Sequence, residues 1–188
     1  MRTALVVILF AVSAFAQDQS AIAAAESACG PKDVEFHIKT DISHHPVFQP
    51  DAGKALVFVV EDQKFKAVKE VTARVGLDGA WVGATHGNSH LFFSVEPGEH
   101  HLCADWMSSF LPDGRLVTLA NFTAEPGKVY FFRVRTSGGP ASYVDGRSFQ
   151  SDHAAAIDLE QVNSDEGNLL VVSSPLSNSQ PKNQRAVK

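Results

Sequence analysis

The sequence predicts an all-β fold, an antiparallel β-sandwich of immunoglobulin-like or transthyretin-like type with about eight strands, a short C-terminal helix and an N-terminal signal helix. Short runs alternate apolar and polar residues with the two-residue period of a half-buried strand. Asp78-Gly79 stands between Val75/Leu77 and Trp81/Val82, a hairpin signature. Pro97-Gly98 then divides residues 91–95 from residues 101–104, with Pro fixing φ and Gly supplying a positive one.

Taken in order, the first segment is a targeting signal rather than part of the fold. Arg2 is its charged start, residues 4–12 its apolar run, and Ala14-Phe15-Ala16 its cleavage site. An apolar run of about ten residues falls short of the roughly twenty that span a bilayer. The expected divisions are a signal peptide over 1–16, a linker or helix over 17–32, one β-sandwich domain over 33–176 and a disordered tail over 177–188. Cleavage leaves no membrane anchor, so the expected location is secreted or periplasmic.

Within the domain, residues 33–40 alternate Val34, Phe36 and Ile38 with Glu35, His37 and Lys39, which reads as a half-buried strand. Residues 44–53 hold Pro46 and Pro50 and read as a loop. Residues 54–60 (K-A-L-V-F-V-V) are continuously apolar, as for a strand covered on both faces. Residues 61–70 are charged and read as a solvated loop. Residues 71–77 place Val71, Ala73, Val75 and Leu77 on one face and Thr72 and Arg74 on the other. In the strand after Pro97-Gly98, Leu102, Ala104 and Trp106 point one way, and His101, Cys103 and Asp105 the other.

Leu111-Pro112-Asp113-Gly114 is a turn, residues 115–124 a strand, and Glu125-Pro126-Gly127 a turn into the aromatic strand 128–136. Residues 137–152 form a long Gly- and Ser-bearing loop. Residues 153–162 make a final strand, alternating Ile157, Leu159 and Gln161 with Asp158, Glu160 and Val162. Ser164-Asp165-Glu166 opens a short helix through Ser173, with a capping residue and two acids in its first turn; a strand is the alternative, since Gly167 and the Val171-Val172 pair disfavour a helix. The polar residues from Ser177 onward lack the apolar content to fold.

These motifs together resemble a bacterial envelope family. Lys54-Ala55-Leu56-Val57-Phe58-Val59 opens the likeness, followed by Val75-x-Leu77-Asp78-Gly79-x-x-Val82-Gly83 and Phe92-x-x-Val95-x-Pro97-Gly98-x-His100. Ala124-x-x-Gly127-Lys128-x-Tyr130-Phe131 and Leu159-x-x-Val162-x-x-Asp165-Glu166-Gly167 complete it. Residues 54–176 thus resemble the family catalogued as domain of unknown function 2846, with a core motif shared by PEGA-type surface domains. The resemblance implies a small secreted or lipid-anchored β-sandwich, and it carries no catalytic residues. The chain departs from the anchored members in lacking an anchor cysteine.

Net charge is −5 and no basic stripe exists to follow a phosphate backbone, which excludes nucleic acid as a partner. The two cysteines, Cys29 and Cys103, form a disulfide in an oxidising compartment. Closing so long a loop is worth about 4–5 kcal/mol in the chain-entropy account. Catalytic signatures such as G-x-S-x-G and H-E-x-x-H are missing, so the chain is read as no enzyme and as needing no cofactor.

Eight histidines are the unusual feature. His86, His90 and His101 with Asp105 could hold zinc or copper, since imidazole and carboxylate suit both ions. The alternative is that they are polar residues on loops and sheet surfaces, with His100 bonded to a neighbouring loop. Trp81, beside a turn, is the aromatic least suited to the core and a candidate platform for a sugar ring. The expected function is therefore a non-catalytic binding or structural module at the bacterial cell envelope, touching an envelope protein or cell-wall glycan. The alternative is a periplasmic metal-binding protein using the histidines. Oligomeric state is left open.

Overall fold

The computed structural model describes residue 27 and residues 29–31, 33–43, 46–62, 72–107, 115–137, 143–144, 147–148 and 156–182. The signal peptide, most of the 17–32 linker, the charged stretch from residue 63, the turn at 111–114 and most of the long loop lie outside these residues.

The described chain is mostly β, in two sheets with one short helix. Its strands are β1 (Phe36–Asp41), β2 (Ala55–Glu61), β3 (Thr72–Leu77), β4 (Ala80–His86), β5 (His90–Val95), β6 (Gly98–Met107), β7 (Arg115–Ala124), β8 (Val129–Ser137), β9 (Tyr143–Val144), β10 (Arg147–Ser148), β11 (Ala156–Val162) and β12 (Leu176–Pro181). Helix α1 (Ser164–Val172) separates β11 from β12. The larger sheet runs β1-β12-β5-β2-β8-β11 and the smaller β4-β3-β6-β7, and β9 pairs with β10.

The antiparallel expectation needs correction. β2 runs parallel to β8, and β12 touches β5 in parallel at Leu176 and His90. The reason is connectivity. After β2 the chain lays β3 and β4 in the second sheet, returns as β5 beside β2, adds β6 and β7 to the second sheet, and comes back to the first at β8 on the other side of β2. Apolar alternation records which face is buried but says nothing about which strand lies beside which.

Between the sheets, Ala55, Val57 and Val59 of β2 meet Ala73 and Val75 of β3 and Leu102, Ala104 and Trp106 of β6. Leu56, Phe58 and Val60 face the other way and are covered by Phe131, Val171 and Phe48. β2 is thus buried along its whole length, as its unbroken apolar run requires.

At the Asp78-Gly79 hairpin both residues take positive φ, 50° and 85°. That is the primed turn whose twist matches flanking strands. The cap lies one residue before the predicted one: Asn163 is the N-cap and its side chain accepts from the Glu166 amide at 3.0 Å.

Gly167 explains how α1 docks. A Cβ there would stand 2.2 Å from Cγ of Phe131, so only glycine lets the helix lie this close to β8. Alanine has the better helix propensity by about 1 kcal/mol, but overpacking costs about 1–3 kcal/mol. Gly167→Ala is accordingly expected to lower the urea midpoint by the equivalent of up to about 2 kcal/mol. A raised midpoint would show that the helix can ride up freely.

The tail expected to be disordered from Ser177 on is instead ordered through Pro181. β12 pairs antiparallel with β1 from Phe36–Pro181 to Asp41–Leu176. Its sequence (L-S-N-S-Q-P) has almost nothing apolar to bury. Backbone pairing and hydroxyls hold it: Ser179 Oγ accepts from the Ala84 amide at 3.0 Å, and Ser177 Oγ lies 2.6 Å from Ser89 Oγ. A Cβ on Gly83 would meet Ser179 Oγ at 2.9 Å, so β4 and β12 approach closely at that point.

Candidate functional site

The segment holding Cys29 lies across the outward face of β3 and β6. Cys29 and Cys103 are joined, with Cα atoms 5.1 Å apart, and both are fully buried. A Cβ on Gly76 would stand 2.9 Å from Cys29 Cα, so this glycine makes room for the crossing backbone. Beneath it, Arg74 of β3 reaches Asp105 of β6 at 2.5 Å, with the two side chains 1% and 0% exposed. The same guanidinium donates to the Val34 carbonyl and lies 4.4 Å from the Trp81 ring centroid. The indole N–H donates to the Pro31 carbonyl at 2.8 Å, and a Gly30 Cβ would clash with the ring. Trp81 therefore roofs a buried ion pair and clamps the N-terminal segment; its ring is not an open sugar platform.

The four residues considered for metal binding go to separate places. Asp105 belongs to the Arg74 pair. His90 is fully buried on β5, its Nδ1 3.0 Å from Ser174 Oγ and its ring against Phe58. His86 ends β4, with Nδ1 3.2 Å from Thr72 Oγ1. His101 is exposed on β6, Nδ1 2.8 Å from Asn121 Oδ1. Among the described residues no three His, Cys, Asp or Glu side chains group to hold a metal ion.

The His90–Ser174 contact is the nearest approach to a nucleophile–base pair, and its direction is wrong for one. Ser174 Oγ donates to the Leu170 carbonyl at 2.8 Å. Its only proton is thus engaged, and His90 Nδ1 must be the donor to Oγ. A general base needs the reverse arrangement.

A buried acid that sequence reading missed lies where β2 ends. Glu61 is fully buried and faces inward between the sheets. Thr85 donates to its Oε2 at 2.7 Å, while Oε1 has no hydrogen-bond partner among the described residues. Burial pushes its carboxyl up to about 7, against the smaller opposing effects of Thr85 and the Gly87 amide. The sign of its position was there to read, because residue 61 continues the inward series of Val57 and Val59.

At the opposite end, Asp78 and His100 join two turns. His100 Nδ1 lies 2.7 Å from Asp78 Oδ2, and Nε2 lies 2.8 Å from the Glu96 carbonyl. Asp78 Oδ1 accepts from the His101 amide at 2.8 Å. Partial burial raises the Asp78 carboxyl, but the His101 amide and His100 outweigh it and leave it below its ordinary value. For His100, burial works downward and the bonds to Asp78 and Glu96 outweigh it, leaving the ring above its ordinary value.

Between these turns and β7 runs a shallow groove of about 220 Å³, lined by Glu99, His100, His101, Asn121, Phe122 and Thr123. Glu99, His101, Asn121 and Thr123 are exposed, and register sets Glu99 opposite Thr123 and His101 opposite Asn121. The groove presents a carboxylate, an imidazole, an amide and a hydroxyl on one sheet face. Such a surface can exchange hydrogen bonds with a hydroxyl-rich ligand but contains no activated nucleophile.

Among the described residues no helix is long and apolar enough to cross a membrane. No family model, curated protein or solved structure matches the chain.

Proposed function

We propose that this chain is a secreted, non-catalytic β-sandwich module, immunoglobulin-like or transthyretin-like in type, that makes contacts at a bacterial cell envelope. Its motifs resemble those of domain of unknown function 2846, whose members are envelope proteins. The observation that carries the reading is the polar groove on β6 and β7, where four exposed hydrogen-bonding side chains converge without a nucleophile–base pair. Hydrogen-bond chemistry of this kind suits the hydroxyls of a cell-wall glycan, with an envelope protein as the other class of partner.

Mature protein titrated with soluble cell-wall glycan fragments should show amide shift changes centred on Glu99, His101, Asn121 and Thr123. Asn121→Ala should weaken binding about tenfold while leaving the fold intact, because one or two hydrogen bonds are lost from an exposed site. Absence of binding across a glycan panel, together with no co-purifying envelope protein, would remove the proposal.

A further inference from the structure

The bonds around His100 carry a second inference, one that does not depend on what the groove binds. A carbonyl oxygen can only accept, and an ionised carboxylate can only accept. His100 faces one of each, Glu96 O on Nε2 and Asp78 Oδ2 on Nδ1. Both ring nitrogens must therefore carry protons, and the ring is an imidazolium.

The two acceptors belong to different turns. Asp78 is in the β3–β4 turn within the smaller sheet, and Glu96 is where the chain passes from β5 in the larger sheet to β6 in the smaller. The Glu96 side chain continues the chain of contacts to Lys54 Nζ at 2.8 Å, just before β2. One side chain on β6 thus ties together the turn of one sheet and the crossing between both.

We propose that His100 is a proton-operated clasp: the imidazolium holds the Asp78 turn and the Glu96 crossing together, and loss of one proton releases the Glu96 arm. The remaining proton stays on Nδ1, where the carboxylate is the stronger acceptor. Nε2 then turns a lone pair toward the Glu96 carbonyl, and a bond becomes a repulsion. Asp78 keeps its other anchor, because Oδ1 still accepts from the His101 amide.

The charged and titratable groups around the ring are few. Asp78 faces it from the β3–β4 turn, and His101 and Glu99 adjoin it on β6. Glu96 carries its Lys54 partner from the β5–β6 turn. β7 contributes the Phe122 ring, at 5.5 Å between centroids, which does not titrate. The Tyr130 hydroxyl beyond it is committed to the Thr123 carbonyl.

The direction follows from the geometry. His100 holds its proton more tightly folded than unfolded, so the clasp is complete in acid and opens as pH rises through the folded-state midpoint. The direct test is a pH series of imidazole nitrogen spectra on uniformly ¹⁵N-labelled protein, with the urea-unfolded chain as reference. His100 should show two protonated nitrogens at neutral pH and titrate above the midpoint of the unfolded chain. Asp78→Asn should lower that midpoint.

Amide exchange, expressed as protection relative to the unfolded rate, supplies the second readout. At pH 6, His100→Gln should reduce protection at Gly98 and His101 about fivefold, roughly the worth of one hydrogen bond. Above the folded-state midpoint, wild type and variant should converge. A His100 midpoint at or below that of the unfolded chain would overturn the clasp. So would a protection ratio that does not change with pH. Should His100→Gln fail to fold, the wild-type titration and its response to Asp78→Asn still decide the matter.

Discussion

Replacing Arg74 with methionine is expected to cost the fold about 3–5 kcal/mol, the usual range for removing one partner of a fully buried ion pair. The guanidinium at this position does three things at once. It faces Asp105 at 2.5 Å, donates to the Val34 carbonyl, and lies against the Trp81 ring. Methionine fills much of the volume but leaves the Asp105 carboxylate buried without the positive charge that faces it. Pairing the change with Asp105→Leu should recover most of the loss, because a well-packed apolar pair avoids the desolvation of both charges. Urea unfolding of the three variants and wild type, with the disulfide intact, gives the coupling directly. A single-variant loss below about 1 kcal/mol would mean that water or a rearranged N-terminal segment compensates the charge.

This buried pair marks where sequence reading stops. The inward faces of β3 and β6 were legible, because Ala73, Val75, Leu102, Ala104 and Trp106 alternate cleanly and all lie in the core. So were β2, the Asp78-Gly79 hairpin and the joining of Cys29 to Cys103. The opposite face of the same strands carries Arg74, Cys103 and Asp105, which alternation alone assigns to solvent. A segment more than forty residues away in sequence covers it, and no local period encodes that. Cys103 on the face of Asp105 was the available hint, since its bond to Cys29 had to bring the N-terminal segment there. β12 was missed for a related reason: its stability lies in backbone pairing and serine hydroxyls, which leave no apolar pattern. His86, His90 and His101 do not converge, because nearness in sequence around a turn does not put side chains on one face. His90 in fact points to the helix side of the larger sheet, and His101 lies on the outer face of the smaller one.

Glu61 should impose a pH dependence opposite to that of ordinary acid denaturation. Its carboxyl is held at about 7 when folded against 4.5 ordinarily, and burial is the main cause. Between those values the unfolded chain has released the proton and the native state still holds it. Stability must therefore fall as pH rises through this window and level off above it. The gap corresponds to roughly 3 kcal/mol. The neutral form suits the local bonding: a protonated Oε2 can donate to Thr85 Oγ1, freeing that hydroxyl to donate to the Ala73 carbonyl 3.3 Å away. The ionised form must instead take the Thr85 proton and carry its charge between two apolar sheet faces. Glu61→Gln keeps an acceptor for Thr85 and removes the ionisation. The difference in unfolding free energy between wild type and this variant, followed from pH 4 to pH 8.5, should therefore decline by about 2–4 kcal/mol and then flatten. Other titrating groups, His100 among them, act alike in both proteins and cancel from that difference. Parallel stability curves would mean that Glu61 reaches water or a cation when it ionises, and that the end of the sandwich where it lies is open rather than sealed.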